Sequence, residues 1–290
     1  MGLLGESGCG KSTVALSILR LLPPGGSVVR GSVRLRGREL LALDEARLQR
    51  VRGAEISLIF QEPGLALNPV RCVGDQVADV IRAHRVGGQK QCREQAEATL
   101  AQVRLSDTEG IYSAYPHQLS GGQRQRVLIA QALACKPALV IADEPTAALD
   151  TTIQAEILAL LKELKQQLRI ALVLITHNPA ILVGLVDRIL VMYAGHLVEE
   201  GEIGEIYRNP LHPYTRDLLR SVPRPPLQNG LAPSKHLPSI AGMPPDPACL
   251  PTGCPFEPRC PDRMELCTRR EPLEVQPELS RRVRCFKFGG

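Results

Sequence analysis

Between positions 5 and 13 the chain reads Gly5-Glu6-Ser7-Gly8-Cys9-Gly10-Lys11-Ser12-Thr13, which satisfies G-x-x-x-x-G-K-[ST] at every fixed position. No other feature limits the fold so strongly. Glycines let the backbone turn until its N–H groups face phosphate oxygens, Lys11 can reach the terminal phosphates, and the Ser12 hydroxyl can ligate Mg²⁺. Such a loop links a strand to a helix whose N-terminal dipole favours the anion. The apolar run at 14–22, stopped by Pro23-Pro24, reads as that helix. An ordinary glycine-rich turn before a helix would not require the Lys-Ser pair.

The other half of a nucleotide site lies at 138–145, Ala-Leu-Val-Ile-Ala-Asp-Glu-Pro. This run is too short for a helix and ends in two carboxylates, the pattern of a buried parallel strand carrying acids to the C-terminal edge of a sheet. Asp143 is placed to hold Mg²⁺ through water, and Glu144 to polarise an attacking water as general base. On its own the pair could be a solvated strand end. Its position behind the next motif argues otherwise.

That motif, Leu119-Ser120-Gly121-Gly122-Gln123 followed by Arg124-Gln125-Arg126, belongs to neither half. A serine-glycine-glycine segment at a helix N-terminus offers N–H groups and a hydroxyl to a second, distinct phosphate. One chain thus carries both faces of a nucleotide sandwich. Here the sequence resembles the ATP-binding subunits of ABC transporters, in which the signature segment of one subunit closes over ATP held by its partner's Walker motifs. The resemblance implies that ATP is bound by Gly5, Ser7, Gly8, Gly10, Lys11, Ser12, Thr13 and Asp143, and across a dimer by Ser120, Gly121, Gly122 and Gln123. Gln61, after the apolar run 56–60, matches the family's Q-loop glutamine, which touches Mg²⁺ or the water and senses the membrane partner. His177, after the run 170–176, matches the switch histidine at the γ-phosphate, and Asp150 matches the D-loop that crosses the dimer seam. Alone, Gln61 would be a surface residue and His177 a structural one; order and spacing decide otherwise. The chain departs from the family at Asn178, where aspartate is usual.

Composition fits a soluble, cytosolic ATPase working beside a membrane. With 290 residues and 44% hydrophobic content, the chain can hold one large α/β core and a small appendage. No apolar run approaches the roughly 20 residues that span a bilayer, and no signal segment opens the chain. The net charge of +5 is scattered, aromatics are 3% and Trp is absent, so neither a basic stripe nor a base-stacking platform for nucleic acid is indicated.

The expected architecture is α/β: a P-loop NTPase core with a parallel sheet, a helical signature subdomain and a small cysteine-bearing extension. The nucleotide-binding domain is assigned to 1–208, with the helical subdomain at about 73–135; the extension and proline-rich linker occupy 209–248, and the Cys-rich segment 249–290. Within this frame 31–40 reads as a hairpin, 73–85, 94–103 and 152–168 as helices, and 189–192 and 197–200 as strands completing the parallel core. Eight prolines between 222 and 247 read as an extended linker.

Beyond the core the resemblance narrows. His212-Pro213-Tyr214-Thr215, Gly253-Cys254-Pro255-Phe256 and Pro258-Arg259-Cys260-Pro261 resemble the C-terminal extension of the oligopeptide, dipeptide and nickel importer ATPases. Gln61-Glu62-Pro63 and the stretch 146–150 look more like the dipeptide "D" type than its "F" companion, although Gly64 stands where the D type commonly has methionine. Five of the nine cysteines fall in the last 42 residues, and disulfides are disfavoured in a cytosolic ATPase. Cys254, Cys260, Cys267 and Cys285 are spaced C-x5-C-x6-C-x17-C, without the short knuckle common in zinc sites. An iron–sulfur cluster, a zinc ion and buried free thiols all remain open from spacing; some members of the resembled family carry a [4Fe–4S] centre here. Cys9, Cys72, Cys92 and Cys135 read as packing residues.

The resemblance therefore implies an ATP-hydrolysing subunit at the cytoplasmic face of the inner membrane, coupling turnover to uptake of di- or oligopeptides or a related solute. Its partners would be transmembrane permeases, a second ATP-binding subunit (identical or related) and, indirectly, an extracytoplasmic solute-binding protein. Two alternatives stand beside it. A soluble ABC ATPase acting on DNA or ribosomes would carry a long coiled-coil insertion or a tandem cassette, and a non-hydrolysing regulatory subunit would lack some of Lys11, Asp143, Glu144 and His177. Only four residues precede Gly5, where the family has further strands and an adenine-stacking aromatic. The expectation is an internal or misassigned start and an aggregation-prone product whose ATP affinity is weakened roughly 5- to 150-fold, equivalent to about 1–3 kcal/mol of lost stacking.

Overall fold

The computed structural model describes residues 1–84, 88–221 and 239–289. In chain order the elements are β1 (Gly2–Leu4), α1 (Lys11–Ile18), β2 (Arg34–Leu35), β3 (Arg38–Glu39), α2 (Glu45–Val51), β4 (Ile56–Ile59), α3 (Pro63–Ala66), α4 (Val73–His84), α5 (Gln89–Gln102), α6 (Thr108–Ser113), α7 (Gly121–Leu133), β5 (Leu139–Asp143), α8 (Thr151–Leu168), β6 (Ala171–Thr176), β7 (Arg188–Tyr193), β8 (His196–Glu202), α9 (Ile203–Arg208), α10 (Pro213–Arg220), α11 (Glu265–Arg269), β9 (Val275–Glu278) and β10 (Arg281–Val283). They form two compact units, one of residues 12–174 and one of residues 1–11 with 175–290.

In the unit of residues 12–174, β4 runs parallel to β5 with Ile56 opposite Leu139 and Ile59 opposite Ala142. Both strands are nearly continuous apolar runs, as burial on both faces requires. The helix expected at 14–22 is displaced: α1 begins inside the phosphate loop at Lys11 and ends at Ile18. Arg20 turns left-handed at φ 50°, and Leu21 N–H bonds back to Leu16 O at 2.8 Å, so the chain stops turning before the prolines. The hairpin at 31–40 is present as β2 and β3, a separate two-stranded sheet whose turn places Arg36 and Gly37 at positive φ. Helix α4 ends at His84, with Arg85 outside the described residues, and α5 starts at Gln89, five residues before the expected 94. α4 buries Val73, Val77, Ala78 and Ile81, while α5 buries Cys92, Ala96 and Leu100. The Tyr112 ring of α6 lies on Gly74 of α4, where an added Cβ would sit 2.1 Å from Tyr112 Cγ.

In the other unit β1 pairs in parallel with β7, Leu3 opposite Leu190. β8, expected as a further parallel strand, is antiparallel to β7. The cause is the link: only Ala194 and Gly195 connect them, both at positive φ, and a two-residue turn can make a hairpin but not a crossover. β10 then pairs antiparallel with β8, and β9 with β10. The cysteine-bearing segment thus extends this sheet by two strands. Of the proline-rich stretch, 222–238 lies outside the described residues, and 239–247 has no regular secondary structure.

Two packed features hold the extension. Glu199 of β8 and Arg281 of β10 are both buried, 2.7 Å apart, and the carboxylate also accepts the N–H groups of Leu211 (2.9 Å) and His212 (3.0 Å). Beside them Tyr193, Tyr214 and Phe256 form an aromatic cluster with ring centroids 4.6 to 5.4 Å apart. His212 touches Phe256 and caps α10, its Nδ1 accepting Tyr214 N–H at 3.1 Å. Burial drives the His212 pKa down to about 3, against the opposing hydrogen bond to the Arg284 backbone. The unfolded chain therefore takes up a proton that the folded chain refuses, so this histidine's contribution to stability is complete above its unfolded pKa of about 6.5 and declines below it, by up to about 1.4 kcal/mol per pH unit. Replacing it by His212→Asn keeps an acceptor for the cap and removes the titration. The stability deficit of His212→Asn in urea unfolding is expected to shrink as pH falls from 7 to 4.5, and a deficit constant with pH would overturn the assignment.

Candidate nucleotide site

The phosphate loop leaves β1 at Gly5, which has no room for a side chain: a Cβ there would lie 2.2 Å from Met192 O. Gly8 and Gly10 take φ of 79° and 101°, conformations that glycine adopts without cost. The loop is tied to the β7–β8 turn by Gly195 N–H to Cys9 O at 3.0 Å. Lys11 is buried, and its ammonium donates to Gly5 O (2.9 Å) and Glu6 O (2.8 Å), so the cation lies inside the curl of its own loop. Ser7, Gly8, Ser12 and Thr13 are exposed. Burial raises the Cys9 pKa despite the neighbouring Lys11, so at neutral pH this thiol stays protonated and acts as packing.

In the unit of residues 12–174, Gln61 follows β4 and Glu144 follows β5. The structure brings them together: Gln61 Nε2 donates to Glu144 Oε2 at 3.2 Å. Glu144 holds φ at 45°, a left-handed conformation that costs an ordinary residue about 1–2 kcal/mol. Asp143 is buried at the end of β5. The signature segment is built as a capping box on α7: Ser120 Oγ accepts Gln123 N–H at 3.2 Å, and Gln123 Oε1 accepts Ser120 N–H at 2.9 Å. Asp150 caps α8, accepting from the N–H groups of Thr152 and Ile153 at 3.1 and 3.0 Å. Gly122 packs against that same α8, where a Cβ would meet Ile153 Cγ2 at 2.9 Å.

In the other unit His177 is exposed just beyond β6. Its neighbour Asn178, the departure from the resembled family, caps the 3-10 turn Pro179–Leu182 by accepting Ala180 N–H at 3.0 Å. The amide oxygen does the capping that an aspartate could also do.

The four tail cysteines lie in one lobe. Cys254 N–H bonds Cys267 O at 2.8 Å, and burial pushes the pKa values of Cys254 and Cys260 up to about 11, with the nearby Cys267 and Cys285 adding to the rise in both. Burial likewise raises the pKa of Cys285, whereas Cys249 is exposed. Among the described residues no three His, Cys, Asp or Glu side chains gather as ligands of one metal ion. Cys9, Cys92 and Cys135 are buried, as packing residues should be, while Cys72 is half-buried.

Three residues of this region received no role from the sequence: Glu6 at a variable loop position, and Tyr214 and Arg259 in the extension. Tyr214 OH accepts Glu6 N–H at 2.9 Å, and Arg259 forms a two-pronged ion pair with the Glu6 carboxylate at 2.7 and 3.0 Å. The motifs that contain Tyr214 and Arg259 were visible, but nothing in them pointed to a residue more than two hundred positions away.

A P-loop α/β core carrying a signature helix and an acidic strand end defines an ATPase of the ABC class. The comparisons agree. Residues 1–147 match the ABC transporter family, and residues 198–267 match the oligopeptide/dipeptide transporter C-terminal region. The oligopeptide transport ATP-binding protein AppD of Bacillus subtilis (strain 168) is 43% identical over 289 residues, 99% of this chain and 87% of AppD. OppD of Salmonella typhimurium, an oligopeptide transport ATP-binding protein, is 42% identical over 287 residues, 99% of this chain and 84% of OppD. The dipeptide transport ATP-binding protein DppD of Bacillus subtilis (strain 168) is 44% identical over 285 residues, 98% of this chain and 84% of DppD. Among solved structures, the dimeric bacterial ABC transporter cassette MJ0796 superposes with a TM-score of 0.60 at 31% identity, covering 70% of this chain and 84% of that one. The chain belongs to the ABC transporter family of ATPases, and its C-terminal region is of the oligopeptide/dipeptide transporter type.

The two signature glycines are expected to respond differently to a methyl group. At Gly121 the nearest atom to an added Cβ is Leu149 Cδ2 at 3.4 Å, so Gly121→Ala should leave stability unchanged or raise it by about 0.5 kcal/mol. Gly122→Ala presses on Ile153 and should cost about 1–3 kcal/mol. Urea unfolding of the nucleotide-free variants checks this; equal shifts would show that α7 and α8 do not meet at Gly122.

Proposed function

We propose that this chain is the ATP-binding and ATP-hydrolysing subunit of a peptide importer, docked on permease subunits at the cytoplasmic face of the membrane and paired with itself or a related ATPase. The observation that carries this reading is similarity to peptide-transport ATPases along nearly the whole chain, including the region 198–267 beyond the cassette proper. Among the described residues no helix is long and apolar enough to cross a membrane, so passage of the solute falls to other chains. An apolar cleft of about 240 Å³, lined by Leu19, Ile56, Phe60, Ala66, Val80 and Leu128 among others, opens beside Gln61, with Phe60 46% exposed. It supports a permease contact that Gln61 would sense.

In the proposed cycle the N–H groups of Gly8, Gly10 and Lys11 bind the phosphates, and the Lys11 ammonium exchanges its two loop carbonyls for phosphate oxygens. The donor set of Ser12 hydroxyl, Gln61 amide oxygen and Asp143 carboxylate is all oxygen and would suit Mg²⁺, which would neutralise phosphate charge when bound. Glu144 Oε2, oriented by Gln61, takes a proton from the attacking water, and His177 contacts the γ-phosphate. Ser120, Gly121, Gly122, Gln123 and Asp150 act across the dimer seam. Ser120, Gly121 and Asp150 are exposed in the single chain, which leaves them free for that contact.

Glu144→Gln is expected to keep ATP binding, lose turnover by about 100-fold or more, and accumulate a dimer in gel filtration with ATP. Lys11→Ala should instead weaken binding itself. Hydrolysis by Glu144→Gln at the wild-type rate would remove Glu144 from the base role.

The same proposal includes a [4Fe–4S] cluster on Cys254, Cys260, Cys267 and Cys285. Burial disfavours bare thiolates at Cys254, Cys260 and Cys285, and cationic iron offsets that cost. A four-iron cluster also spreads its ligands more widely than a single ion does. Protein purified without oxygen should be brown, absorbing near about 400 nm, and serine at any of the four should bleach it while Cys249→Ser does not. Colourless protein would reject the cluster, and stoichiometric zinc in it would favour a structural zinc site.

A further inference from the structure

Glu6 is the second residue of the phosphate loop and stands at a position that the motif leaves variable. All its polar groups are nevertheless engaged. Its carbonyl accepts from Lys11 Nζ at 2.8 Å, its N–H donates to Tyr214 OH at 2.9 Å, and its carboxylate receives Arg259 Nη1 and Nη2 at 2.7 and 3.0 Å. The last three bonds come from the C-terminal extension. Arg259 is itself fixed: its side chain is 4% exposed, its Nη1 also reaches Tyr193 OH at 3.3 Å, and its Nε donates to Ala241 O at 2.8 Å. Tyr214 is held in the aromatic cluster with Tyr193 and Phe256. Pro244, Pro245 and Pro247 wall a cleft of about 310 Å³ whose other side is Glu6, Ser7, Gly8 and Cys9.

A carboxylate in a loop that receives polyanionic phosphates is an electrostatic liability. A buried guanidinium bound to both of its oxygens cancels that charge and fixes the side chain with it. The neutral tyrosine hydroxyl meanwhile satisfies and anchors one loop N–H, which stops that amide from turning away.

We propose that Arg259 and Tyr214 are positioning residues of the ATP site: the C-terminal extension braces the phosphate loop through Glu6, and Arg259 screens the Glu6 charge from the incoming phosphates. The inference rests on the reading of this loop as the ATP-binding element. It assigns the extension a part in nucleotide affinity, separate from any metal its cysteines hold.

The test is the ATP dependence of hydrolysis by the full chain, with equilibrium ATP binding by calorimetry and thermal melting of each nucleotide-free variant. Arg259→Ala should raise KM and Kd for ATP by about tenfold with kcat within about twofold of wild type, the scale of one charge-assisted pair. Adding Glu6→Gln to Arg259→Ala removes the unmasked charge and should recover more than half of that loss. Arg259→Lys should fall between wild type and Arg259→Ala, and Tyr214→Phe, which deletes one oxygen, should raise KM about threefold. Unchanged ATP affinity in Arg259→Ala, or a double variant no tighter than Arg259→Ala, would overturn the proposal. A wild-type protein that binds no ATP, or Glu144→Gln hydrolysing like wild type, would instead overturn the functional reading beneath it. If Arg259→Ala melts before the assay temperature, Arg259→Lys and Tyr214→Phe carry the comparison, and wild-type KM in both counts against the brace.

Discussion

A carboxylate and a guanidinium removed from water together anchor the start of α10 and the strand β10. Glu199 and Arg281 would each be costly to bury alone; as a pair, with Glu199 also taking the N–H groups of Leu211 and His212 and Arg281 reaching Asn209 O at 2.7 Å, they are tolerable only in this arrangement. Because the two N–H groups belong to the start of α10, the ion pair fixes where that helix begins and hence where Tyr214 points. Because Arg281 opens β10, the same pair fixes the strand that joins the cysteine lobe to the sheet. The contacts on Glu6 are downstream of both.

The cassette was legible because its motifs are short, local and chemically demanding. The strands ending at Asp143 and Thr176 and the helix opening at Gly121 could be placed from apolar runs and the serine-glycine-glycine segment, and each is present within about a residue of expectation. What the sequence could not disclose depends on pairing. β8 reads as a strand but not as an antiparallel one until the two-residue link is taken seriously. β9 and β10 hardly read as strands, since Val275-Gln276-Pro277-Glu278 and Arg281-Arg282-Val283 carry few apolar residues. They form because β8 offers them an edge and Glu199 offers Arg281 a counter-charge. α1 was misplaced because an apolar run says nothing about where a left-handed residue such as Arg20 will end the helix.

The site residues divide in a similar way. Lys11, Asp143 and the apolar strands are buried in the single chain, whereas Ser12, Thr13, Gln61, Ser120, Gly121 and His177 are exposed. Structural duties have been given to backbone and capping groups, so Ser120, Asp150 and Asn178 each hold a helix or turn start while presenting the same segment outward. Capping fixes the segment's direction at little cost in side-chain freedom, and this is how one short motif can be both part of a helix and part of an interface.

The ties to Glu6 span 208 residues to Tyr214 and 253 to Arg259. During synthesis the phosphate loop therefore leaves the ribosome well before the two side chains that hold it. At about 5–20 residues per second, roughly 10–50 seconds separate the emergence of Glu6 from that of its guanidinium partner. For that interval the nascent chain carries an unbraced, uncompensated carboxylate in its nucleotide loop. With the proposed brace, the order of translation would hold back full ATP affinity until the cysteine-bearing lobe has folded onto its sheet.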